Sequence, residues 1–110
     1  MKPYTKKIVD EYVAKLSETV LSDANVNSLV LFGSQARGDA TASSDIDIAV
    51  VTNAPISNYN RGNMQCLTDD ISTQVDINLF FTTTDAIQNA KDIFDTNLYI
   101  KNEGVVVWHK

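Results

Sequence analysis

The chain has one cysteine, Cys66, and one histidine, His109. A single thiol cannot close an internal disulfide, and one thiol with one imidazole cannot complete a structural zinc site. Cys66 is therefore expected to be a small core residue. His109, one residue from the end, is expected to have no catalytic part. Basic residues are also scarce, with nine Lys and Arg against fourteen Asp and Glu, a net charge of −5. That balance argues against tight nonspecific binding to nucleic acid, because no basic patch is available to displace counterions. Long apolar runs are missing too. The opening MKPYTKKIVDEYVAKL is basic but repeatedly interrupted, so it reads as neither a secretory signal nor a membrane span. The cytoplasm is the expected compartment. No repeat, low-complexity run or linker-like stretch is visible.

What is present is ordinary for a globular protein, 44% hydrophobic and 21% charged over 110 residues. Residues 1–110 make one domain with a single core and little left over for a separate substrate domain.

Apolar residues at Ile8, Val9, Tyr12, Val13, Leu16 and Val20 follow helical spacing and predict an amphipathic helix from about Tyr4 to Ser22. Asp23, Asn25 and Asn27 predict a turn. Ser28 to Phe32 reads as a central strand, apolar on both faces. A second strand runs from about Asp45 to Thr52 and stops at Asn53-Ala54-Pro55. Ser57 to Ser72 includes a helix with Met64, Leu67 and Ile71 inward, weakened by Gly62. Gln74 to Phe81 is a strand with Asp76, Asn78 and Phe80 on one face. Thr82, Thr83 and Thr84 offer N-caps to a helix from about Asp85 to Asn102, with Ile87, Ala90, Ile93, Phe94, Leu98 and Tyr99 inward. Gly104 ends it, and Val105 to Trp108 is a last short strand.

The stretch LVLFGSQARGDATASSDIDIAVV, Leu29 to Val51, carries the chemistry. Alternation along a strand puts Asp45 and Asp47 on one face, roughly 6.5 Å apart at the backbone, near enough to share a divalent cation or flank two. Gly33 lets the chain turn tightly and a phosphate approach without a Cβ in the way. Ser34 adds a hydroxyl and also suits a helix N-cap. A helix begun there would point free N–H groups at an anion. Arg37 is open between a structural salt bridge and a phosphate or partner contact. Asp76 interrupts an apolar segment and should have a metal, a cationic partner or solvent, because an unpaired buried carboxylate costs several kcal/mol. The pair Asp69-Asp70 reads as a solvated helix face.

These residues resemble the nucleotidyltransferase superfamily related to DNA polymerase beta, and within it the minimal nucleotidyltransferase domains. That family has Gly-Ser, about a dozen residues, Asp-x-Asp, and a third carboxylate on a later strand. Here Gly33-Ser34 is followed after ten residues by Asp45-Ile46-Asp47, and later by Asp76 in QVDINLFF. The resemblance implies an α/β fold, a mixed four- to five-stranded sheet with helices packed against it. It implies AMP transfer from ATP to a hydroxyl, with Asp45 and Asp47 holding two Mg²⁺ ions, Asp76 as further ligand or general base, and Gly33, Ser34 and Arg37 near the phosphates. It also implies a partner: minimal members act as antitoxins that adenylylate a tyrosine of a helical HEPN toxin, in a type VII-like toxin–antitoxin pair. Two other readings stay open, the catalytic half of a two-chain transferase acting on a small, aminoglycoside-like acceptor, and a noncatalytic module that covers its partner.

Overall fold

Proline at the first turn of a helix sacrifices no hydrogen bond, and the first helix, α1 (Pro3–Ser17), begins that way. Its buried stripe is Thr5, Val9, Tyr12 and Leu16, at helical spacing; burying each apolar member contributes about 1.5–3 kcal/mol. The remaining elements are β1 (Val26–Phe32), α2 (Ser34–Arg37), β2 (Ile46–Thr52), α3 (Asn58–Asp70), β3 (Ile77–Thr83), α4 (Thr84–Gln88), α5 (Thr96–Glu103) and β4 (Val105–His109). This is a computed structural model, and it describes residues 2–18, 21, 25–41, 44–71 and 76–110. Val20, Ser22, Asp23, Ser72, Gln74 and Val75, to which the sequence assigns ends of helices, a turn and the start of a strand, lie outside these residues.

The four strands form a mixed sheet in the order β3-β2-β1-β4. β1 runs antiparallel to β2 and to β4, whereas β2 and β3 are parallel and joined through α3. Parallel neighbours need such a crossover, and a helix supplies it. Both central strands are covered on two sides, as their apolar runs predict. On one face Leu29 and Leu31 of β1 and Ile46, Ile48 and Val50 of β2 pack with Tyr12, Leu16 and Met64. On the other, Val30, Ala49 and Val51 pack with Ile100 of α5. The Tyr12 hydroxyl donates to the Met64 carbonyl at 2.8 Å and so ties α1 to α3. Burial pushes that phenol well above its ordinary pKa.

Two expectations need correcting. The single helix expected from Asp85 to Asn102 is two helices with an ordered break. Thr83 caps α4 by accepting from Ala86 N–H, and Asp95 caps α5 by accepting from Asn97 N–H. Between them the Asp92 carboxylate accepts from Phe94 N–H at 2.9 Å. Aspartates that bond the local backbone compete with helix continuation, and the break turns Ile93 and Phe94 outward, 66% and 89% exposed, with Tyr99 also exposed. The second correction is Cys66, which is exposed. It sits two residues, about 200° of helix turn, from the buried Met64, on the opposite face of α3. No helix among the described residues is long and apolar enough to cross a membrane.

Candidate active site

β1 ends at Phe32, and the chain reverses at Gly33, whose φ of 76° and ψ of −156° lie in territory open essentially to glycine alone. The Gly33 carbonyl accepts from Ala36 and Arg37 N–H, each at 3.1 Å, closing the single turn of α2, which Gly38 ends with φ 87°. The capping position is therefore Gly33, and Ser34 is the first helical residue, which corrects its expected N-cap role. The first N–H groups of the turn have no partner within it.

A buried amide holds this turn in place. Gln35, 1% exposed, accepts from the Thr5 hydroxyl of α1 at 2.6 Å and donates to the Ser44 carbonyl at 3.0 Å. Ser44 immediately precedes Asp45. Lys2 and Tyr4 add bonds to the carbonyls of Ala40 and Thr41, at 2.6 and 3.1 Å. The beginning of α1 thus anchors both the turn that follows β1 and the segment that leads into β2. Gln35 stood in the sequence within a run of small residues, and nothing local marked it as buried.

The structure brings Asp45 and Asp47 together on the sheet face shared with Ala49 and Val51. In register, Asp47 lies between Phe32 of β1 and Asn78 of β3. The Asn78 amide nitrogen donates to Asp45 Oδ2 at 3.2 Å and to Asp47 Oδ1 at 3.3 Å. Asp47 Oδ2 faces Gly33 so closely that a Cβ there would lie 2.7 Å from it. Partial burial pushes the Asp47 carboxyl above its ordinary pKa; the Asn78 bond works against this, and the charge of Asp45 adds to it.

Asp76 is exposed and immediately precedes β3, where its carbonyl accepts from Ile46 N–H at 2.8 Å. It stands one residue before the Ile46–Ile77 pair, at the same end of the parallel strands as Asp45. Among the described residues, no three His, Cys, Asp or Glu side chains gather into a group able to enclose a metal ion. The assembled unit is the pair Asp45 and Asp47 with Asn78. Arg37 is engaged in ion pairs, Nε to Asp39 at 3.3 Å and a terminal nitrogen to Glu103 at 2.9 Å. Such exposed pairs are screened by solvent and contribute little, and a guanidinium retains further N–H groups.

Two carboxylates that no thiol or imidazole joins among the described residues are a hard oxygen donor set, suited to Mg²⁺ or Mn²⁺. Asp47 Oδ2 packs against Gly33 where a Cβ would otherwise stand, so the absence of a side chain at residue 33 lets the carboxylate approach the turn.

The family pattern described as Polymerase beta, Nucleotidyltransferase matches residues 14–104. No curated protein matches the sequence. Among solved structures, a candidate nucleotidyltransferase of Sulfolobus solfataricus is similar with a TM-score of 0.60 and 21% identity, over 97% of this chain and 82% of that one. A toxin–antitoxin complex solved with AMP-PNP gives 0.58 and 23%, over 91% and 73%. The complex of a tri-AMPylated Shewanella oneidensis HEPN toxin with its MNT antitoxin gives 0.57 and 19%, over 96% and 73%. At these identities the likeness is one of fold. The family match reaches from within α1 to the residue before β4, so it takes in the glycine turn, the paired aspartates and Asp76, and the chain belongs to the polymerase beta nucleotidyltransferase family.

Proposed function

We propose that this protein transfers AMP from ATP to a hydroxyl of a partner protein, a tyrosine of a HEPN toxin, in the cytoplasm, and that residues 1–110 act as one catalytic domain. The observation that carries the reading is the Asp45–Asp47 pair held against Gly33. Structural neighbours solved with AMP-PNP or with an AMPylated HEPN toxin support the choice of donor and acceptor.

Asp45 and Asp47 would hold divalent metal, two Mg²⁺ ions in this reading. A divalent ion held by these two carboxylates would supply a lowered pKa for an attacking hydroxyl and would offset charge at the α-phosphate. Gly33 and Ser34 receive the β- and γ-phosphates on backbone N–H groups and a hydroxyl. Arg37 reaches the same anions with N–H groups left over from its ion pairs. In the transfer, the acceptor oxygen bonds to the α-phosphorus while the bond to the bridging oxygen breaks, and pyrophosphate leaves. Asp76, exposed just before β3, would accept the acceptor's proton or complete the metal ligands by turning its side chain toward the pair. The net charge of −5 favours a protein with basic surface over nucleic acid as acceptor.

The test is incubation of purified protein with Mg²⁺ and α-labelled ATP, with and without lysate of its source organism. A labelled protein band that vanishes with Asp47→Asn supports the reading. A labelled small molecule moves the acceptor to the two-chain alternative, and absence of label with absence of ATP binding leaves a noncatalytic module.

A further inference from the structure

We propose that Asn78 is the positioning residue of the carboxylate pair: its amide holds one oxygen of Asp45 and one of Asp47, which leaves the other oxygens for the cation. This rests on the reading of the pair as metal ligands.

The amide nitrogen bonds Asp45 Oδ2 and Asp47 Oδ1, at 3.2 and 3.3 Å, so a single group fixes the torsions of two side chains. The remaining Asp47 oxygen, Oδ2, is the one turned to Gly33. Asn78 stands beside Asp47 in the parallel ladder, so its position is set by strand pairing. Two like charges on neighbouring positions otherwise repel and swing apart. Among the described residues no third acidic, thiol or imidazole group joins the pair to form a metal-holding cluster, and the amide is the donor that bonds both members. Hydrogen bonds to ligating carboxylates typically change metal affinity 10- to 100-fold. Asn78 is exposed, and β3 is packed through Ile77, Leu79 and Phe81 instead. A leucine of equal size keeps the strand and lacks the donor.

The experiment is Mn²⁺ binding by the full chain without nucleotide, followed by the paramagnetic resonance of free Mn²⁺, with thermal melts in EDTA as the control for folding. Asn78→Leu and Asn78→Ala are expected to bind about tenfold more weakly with unchanged melting, while Asn78→Gln, which keeps the amide, stays near wild type. Wild-type affinity in Asn78→Leu and Asn78→Ala, with binding lost in Asp47→Asn, overturns the role of Asn78 and leaves the metal site standing. Equal weakening in the leucine and glutamine variants also overturns it. Wild-type affinity in Asp47→Asn overturns the metal reading itself.

Discussion

Gly33 and Asp47 are packed so that any side chain on the first would strike the second: a Cβ at residue 33 would stand 2.7 Å from Asp47 Oδ2. The backbone of Gly33, with φ 76° and ψ −156°, suits glycine alone, and the absence of a side chain there serves the same end. Gly33→Ala is expected to cost about 1–3 kcal/mol in backbone strain. It should also displace the Asp47 carboxylate, so transfer activity falls far more than stability. Urea unfolding beside a labelled-ATP assay separates the two losses, and an alanine variant with full activity would remove Gly33 from the site.

Asp47 also predicts a pH dependence. Its folded-state pKa is raised, chiefly by burial, so the fold favours the protonated carboxyl. The stability this contributes is full below the ordinary carboxylate pKa and is lost as pH rises through the raised value. Asp47→Asn, which stays neutral, should therefore melt above wild type at pH 7 in EDTA, and the gap should close as the pH falls below about 4. A gap that widens on acidification contradicts the assignment.

Gln35→Leu leaves the Thr5 hydroxyl and the Ser44 carbonyl without the partner they have in the fold. The expected cost is about 1–3 kcal/mol by chemical denaturation. Because Ser44 leads into Asp45, kcat should fall as well, even where the variant is fully folded. Unchanged kcat would confine Gln35 to a structural part.

Arg37 separates binding from packing. If its guanidinium meets the triphosphate, Arg37→Ala raises the KM for ATP by about tenfold, and stability barely moves, because solvent screens its ion pairs. Glu103→Gln breaks the ion pair but keeps the arginine, and its KM should stay near wild type. Equal effects of the two substitutions would return Arg37 to a salt bridge alone.

The strands were legible because their residues satisfy one rule at a time. Leu29 to Phe32 is apolar throughout, and Asp45 to Val51 switches from alternating to apolar as it enters the core. The DxD pair and the glycine turn could be read for the same reason: period two fixes the shared face, and glycine marks the turn. Spacing alone puts Ile93 and Phe94 inward, whereas Asp92 and Asp95 carry the local bonds that break the helix. Residue type makes Cys66 a core candidate, whereas its angle from Met64 on α3 puts it outside. The burial of Gln35 depends on where α1 docks, and the bridging part of Asn78 depends on the β2–β3 register. Neither tertiary relationship is encoded in local periodicity, although Asn78 did share a predicted face with Asp76.

The central claim is nucleotidyl transfer at the Asp45–Asp47 pair, and the most direct measurement compares α- and γ-labelled ATP in the same reaction with Mg²⁺ and source lysate. Label should reach the acceptor from the α-phosphate only, with γ-label released in pyrophosphate and all transfer lost in a folded Asp47→Asn variant. Acceptor labelling from the γ-phosphate, or α-label transfer that survives in that variant, would contradict the account.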